Sequence, residues 1–312
     1  MACGLATALA GCDAGPWARP SRLRTPYQFG LHVDERSLDV NLARAEKQAR
    51  RRADVVLLFA KLNEPISGKI SRMMHAGYEV ALTLEFWEGD QPHDPAWSLR
   101  DIAAGRHDAS FDRWLRSFRD LPRPLHLRPL HEFNGDWYPW GVYAPGNLVS
   151  DFIPAWRHVV QRARAVAPDR VRMQLCYNRV HAQGSNEPLA AFYPGDEFVD
   201  ELVLNGYMRP GKRDWKQFVE IIGPFYQQLR AINPRKPLWI GETACTERGG
   251  DKAAWITGMF DAVLSTHPVA CLTWFDESVK ARGEPDRDWP FDTSPQALRA
   301  FREGVRRTQR ST

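Results

Sequence analysis

The chain has 312 residues, 43% of them hydrophobic and 26% charged, the composition of a globular protein with a sizeable core. Its 42 basic and 38 acidic residues leave a net charge of +4 and lie scattered, with no Lys/Arg stripe to point to a nucleic-acid partner. The short run Arg50-Arg51-Arg52 reads as the solvated end of a helix.

Residues 1–12, MACGLATALAGC, are apolar, rich in small side chains and too short to span a bilayer. Leu9-Ala10-Gly11-Cys12 resembles a bacterial lipobox with Cys12 as the lipidated residue, although no Lys or Arg precedes the apolar run. The expectation is an exported periplasmic or envelope lipoprotein that meets the membrane only through that anchor. Residues 13–26 then form a Pro/Arg-rich tether, and 27–312 remain for one folded domain.

Eight apolar or β-branched runs follow in order: 27–33, 54–60, 79–87, 125–133, 170–178, 201–207, 237–244 and 269–276. Helix-like stretches separate them, including 37–53, 110–121, 218–232 and 251–265, with Ser37, Ser110 and Asp251 as candidate caps. A last helix covers 294–307, with Ser294 as N-cap and Pro295 in its first turn. Strict alternation predicts the α/β class and a single (β/α)8 TIM barrel. A two-domain doubly wound fold is the rival, but neither GxGxxG nor GxxxxGK[ST] occurs and no linker divides the chain. Cys176, Cys245 and Cys271 lie in or beside strand-like runs and read as buried thiols, with a Cys245–Cys271 bridge left open. No Cys/His spacing suggests zinc.

Two strand-like runs carry a glutamate near their carboxyl ends, LRPLHEFNGDWYPWG at 127–141 and PLWIGETAC at 237–245. Strand alternation places Arg128, Leu130 and Glu132 on one face, and Leu238, Ile240 and Glu242 on another. An inward carboxylate on an apolar strand is costly unless paired or used. Two such groups flanking one bond are what glycoside hydrolysis needs. Twelve Trp suit a groove that stacks on sugar rings, although several must be core.

These motifs resemble glycoside hydrolase family 26, in the clan of retaining (β/α)8 glycosidases. RPLHEFNGDWYPWG resembles the family's strand-four motif, FYPGDEFVDELVLNGY its strand-six signature, KPLWIGETA its strand seven and LTWFDE its strand eight. The resemblance runs collinearly over roughly 25–308 and implies an O-glycosyl hydrolase. It makes Glu132 the general acid/base and Glu242 the nucleophile of a double displacement. His131 would contact the sugar or support the nucleophile's side, and Tyr207 would hydrogen-bond Glu242. Trp137 and Trp274 would wall the sugar site.

Strand ends supply weaker candidates. His32 and Trp87 end strands one and three and are candidate sugar contacts. Asn178, at the end of strand five, either donates to a hydroxyl or forms a turn. Arg128 either orders the carboxylates or makes a structural ion pair. No cofactor or metal is expected, since water and two carboxyl groups suffice, and the partner is a polysaccharide met by a monomer.

The Tyr-Pro pair in the loop after Glu132 looks nearer to the family's β-glucan-cleaving members, favouring a β-glucan or glucan-containing exopolysaccharide over β-1,4-mannan. A non-catalytic glycan-binding lipoprotein would be a different class of protein, but such relatives usually lose one glutamate, and both are present. An aldolase-like barrel would want an inward Lys or a metal cluster, and no strand offers one.

Overall fold

The computed structural model describes residues 27–89, 94–179, 187–209, 215–278 and 287–308. The proposed leader, lipidated Cys12 and tether lie outside the described residues. Eight parallel strands pair in chain order and close on themselves into a (β/α)8 barrel, the TIM-barrel architecture. They are β1 (Gln28–His32), β2 (Val55–Lys61), β3 (Glu79–Glu85), β4 (Leu125–Pro129), β5 (Val171–Asn178), β6 (Glu201–Met208), β7 (Leu238–Cys245) and β8 (Cys271–Phe275).

Around them run α1 (Leu38–Ala49), α2 (Ser67–His75), α3 (Leu99–Ala103), α4 (Asp108–Arg116), α5 (Phe152–Val166), α6 (Phe218–Ile232), α7 (Lys252–Leu264) and α8 (Pro295–Arg307). Asp251 and Ser294 cap α7 and α8 by accepting from the backbone N–H of Ala254 and Ala297. Ser37 occupies the cap position of α1 without such a bond, and Ser110 lies inside α4, which begins at Asp108. None of the helices among the described residues is long and apolar enough to cross a membrane.

The strands are apolar on the face toward the helices, while the inward face mixes apolar residues with buried polar ones such as His126, Arg128, Gln174 and Glu201. Val55, Leu57, Ala81, Cys176, Val203, Trp239 and Cys271 form an inner cluster within the barrel. Leu82, Leu127, Leu202, Leu238 and Ile240 belong to the larger cluster shared with the helices. Cys245 sits in that outer cluster while Cys271 sits in the inner one, and both are free thiols.

Two interruptions of regular backbone decide where the site lies. β4 ends at Pro129, and Leu130 and Glu132 adopt left-handed conformations, with φ of 49° and 54°. Alternation therefore does not carry from Arg128 to Glu132: Leu130 packs with the outer cluster, and the turn swings Glu132 inward, its N–H donating to the Cys176 carbonyl. On β7 the register against β6 slips: Ile240 faces Leu204, but Glu242 faces Asn205, leaving Gly241 as an extra residue. This β-bulge reverses the facing of the residues beyond it. Leu238 and Ile240 point outward and Glu242 inward, so the shared face expected for the three does not exist.

Candidate active site

The carboxyl ends of the strands open into a cleft of about 400 Å³. Glu132 and Glu242 both line it, with His32, Tyr138, Tyr207, Phe275 and Trp289 among the other side chains. Both glutamates are nearly buried, with 7% and 5% of their surfaces exposed.

Their surroundings differ. Glu132 accepts from the Trp137 indole N–H at 3.0 Å and from the Asn205 side-chain amide at 2.9 Å. Burial pushes its carboxyl above the ordinary value and the nearby charge of Glu242 adds to the rise, outweighing the lowering by Asn205 and Asn178. Glu242 accepts from Arg128 Nη1 at 3.2 Å and from the Tyr207 hydroxyl at 2.7 Å. Arg128 is fully buried and also donates to Gln174 through Nε at 3.1 Å. Breaking a buried ion pair of this kind costs about 3–5 kcal/mol, so the contact orders Glu242 firmly. Burial, then Glu242 and Glu132, holds the Tyr207 hydroxyl well above its ordinary value, so it stays a donor.

Gly241 permits this convergence. A Cβ there would lie 2.8 Å from both Arg128 Nη1 and Asn205 Oδ1, and 2.3 Å from Val203 Cγ1. The bulge thus supplies Glu242 and also clears the space in which the partners of both glutamates meet.

The other sequence candidates are distributed unevenly. His32 lines the cleft, bonded to Glu277 at 3.1 Å and to the Leu57 carbonyl at 3.0 Å. Burial lowers its basicity, but Glu277 and Glu35 overcome that and raise it. Asn178 is buried against the Asn134 side chain and lies near Glu132. Trp137 is half-buried beside Glu132.

Three candidates lie behind the surface rather than on it. His131 is 1% exposed beneath Tyr138 and Trp140; burial, with the charge of Arg128, pulls its pKa down to about 3, so it is neutral. Trp87 packs edge-on against Tyr138 and Trp140 as support for the cleft wall. Trp274 points outward, against Trp255 and Phe301, and its indole donates to the Trp289 carbonyl. The aromatic faces lining the cleft include Tyr138, Phe275 and Trp289 instead.

Sequence reasoning missed Asn205, Glu277 and Trp289. Asn205 was recoverable, being a polar residue in an apolar strand two positions before Tyr207 and hence on its face. Trp289 carried no local signal. Among the described residues no cluster of side chains that could hold a metal ion is present.

A closed parallel barrel with paired carboxyl groups at its carboxyl end defines a (β/α)8 protein of the glycosidase type. The family model for glycosyl hydrolase family 26 matches residues 107–244, a span that includes both glutamates. The matched segment belongs to this family, whose enzymes are glycosidases. It is 33% identical to Endoglucanase H of Acetivibrio thermocellus over 236 residues, covering 73% of this chain and 24% of that protein. It is 30% identical to the beta-1,3-xylanase TXYA of a Vibrio species over 149 residues, covering 47% of this chain and 29% of that protein. It thus spans less than a third of the length of either relative. A family 26 β-mannanase structure from Bacteroides ovatus superposes with a TM-score of 0.64 at 17% identity, covering 92% of this chain and 90% of that one, which supports the fold.

Proposed function

We propose that the chain is a retaining endo-acting glycanase that cleaves a neutral β-linked glucan by double displacement. The observation that carries this reading is the pair of buried carboxyl groups facing one cleft in unlike surroundings. Glu132, raised above its ordinary value and among neutral donors, is suited to hold a proton and deliver it to the leaving oxygen. Glu242, between a guanidinium and a hydroxyl, is suited to attack the anomeric carbon as a carboxylate. Glu132 then takes a proton from the water that releases the glycosyl-enzyme.

Retention calls for carboxyl groups about 5–5.5 Å apart. Asn205 supports such proximity, since its amide serves Glu132 while its backbone sits opposite Glu242 in the ladder. The cleft carries Asp34, Glu35, Glu85 and Glu277 besides the pair, against Arg36, Arg209 and Arg287. That excess of acid disfavours a polyanionic substrate such as a polyuronate. Tyr138, in the loop that favoured glucan, lines the cleft, and one relative is named an endoglucanase. Export and anchoring at Cys12 are part of the proposal and rest on the lipobox-like segment; a Cys12→Ala protein that stays in the membrane fraction would remove them.

The test is incubation with lichenan, cellulose, mannan and xylan, sizing the products and following the first-formed anomer by NMR. Shortened lichenan with retained β configuration is expected. Preference for mannan overturns the glucan assignment. Inversion overturns the nucleophile, and inertness toward all four overturns the hydrolase.

A further inference from the structure

Beneath the cleft a chain of buried polar groups crosses the barrel from floor to mouth. His126, near the start of β4, places Nδ1 at 2.8 Å from Glu201 Oε2 and Nε2 at 3.2 Å from Glu79 Oε2. A neutral imidazole has one N–H, whereas two carboxylate partners call for two, so the ring is an imidazolium. Burial works against that charge, but Glu201 and Glu79 outweigh it and push the pKa to about 9. Trp239 of β7 lies over the ring at 4.6 Å, and Arg172 of β5 and Arg123 share a small cavity with it at the barrel floor.

From Glu201 the chain continues upward. Gln174 Nε2 donates to Glu201 Oε2 at 2.8 Å, and Gln174 Oε1 accepts from Arg128 Nε at 3.1 Å. Arg128 Nη1 then donates to Glu242 Oε1. An ionised carboxylate only accepts and a guanidinium only donates, so the amide of Gln174 fits between them in one orientation.

We propose that His126 is a positioning residue for Glu242, acting through Glu201, Gln174 and Arg128. The inference rests on the reading of Glu242 as nucleophile. The imidazolium keeps Glu201 ionised, Glu201 takes the amino end of Gln174, and the carbonyl end is left for Arg128. With one edge on Gln174 and another on Glu242, the guanidinium has a single place to sit. Without the imidazolium the buried Glu201 takes up a proton and becomes a donor. Gln174 turns over, its amino group meets Arg128 Nε–H, and the guanidinium is driven off its seat.

A purely stabilising barrel floor would lose stability on mutation and nothing else. His126→Gln and Gln174→Met are compared with Cys271→Ala, which loosens the barrel interior beside Trp239 but removes none of these hydrogen bonds. The first readout is the proton–nitrogen NMR signal of Arg128 Nε–H in protein without glycan. It should be sharp and slow to exchange in the wild type and in Cys271→Ala, and shifted or broadened in both relay variants.

The second readout is hydrolysis. The relay variants should lose about tenfold to hundredfold in kcat with KM within about twofold. Should His126→Gln fail to fold, Gln174→Met carries the test. An unmoved Arg128 signal in folded relay variants, or an equal change in Cys271→Ala, overturns the proposal. A moved signal in a protein that cleaves no glycan upholds the relay and fails the hydrolase reading.

Discussion

On the β4 side of the cleft Glu132 is held by the neutral donors Trp137 and Asn205, whereas on the β7 side Glu242 meets a guanidinium and a hydroxyl. Both carboxyl groups are buried to nearly the same degree. Burial alone therefore does not separate them; the charge of the partners does. One wall is arranged to tolerate a proton and the other to solvate an anion, which is how two identical side chains come to do different work.

The sharpest way to break this contrast is Glu242→Gln, which should lower kcat by on the order of ten-thousandfold or more with the fold intact by circular dichroism. Retained turnover would remove Glu242 from the chemistry. Glu132→Gln should cost about a hundredfold to ten-thousandfold on polysaccharide. It should cost far less on aryl glycosides whose leaving group needs no proton; equal losses on both would erase the difference between the walls.

Gly241→Ala disturbs both walls at once, because its Cβ would press on Arg128 and Asn205 together. A loss of about a hundredfold on both substrate types, with a lowered Tm, is expected. Activity within twofold of wild type would show that the shared contact is idle.

The smallest effect sits below the cleft. The folded pKa of His126, about 9, exceeds its ordinary 6.5, so its stabilisation is complete below about pH 6.5 and lost as pH rises through about 9. The Tm should fall across that window in the wild type and fall less in His126→Gln. Parallel curves would contradict the imidazolium.

Much of this was legible in the sequence, and the failures share a cause. Continuous apolar runs separated by amphipathic segments were enough for the barrel, and the glutamates stood out as acids at strand ends. Alternation nevertheless gave the wrong faces around both of them. Left-handed residues at Leu130 and Glu132 and an extra residue at Gly241 leave no mark in a hydrophobicity pattern. Trp274 was misplaced because its role came from the family resemblance, and the short buried run of β8 offered no periodicity to check which way it faced. Trp289 enters the wall from a loop far along the chain, held where the Trp274 indole, Lys252 and Asp276 bond to the backbone of 288–291.

The left-handed backbone of Glu132 sets evolution a conflict. A glutamate in that conformation carries a penalty of about 1 kcal/mol or more that asparagine or glycine would largely escape. Selection for heat resistance alone would therefore tend to erase this acid early, trading chemistry for durability. A chain that keeps glutamate at this position accepts a backbone cost that serves its chemistry and not its robustness.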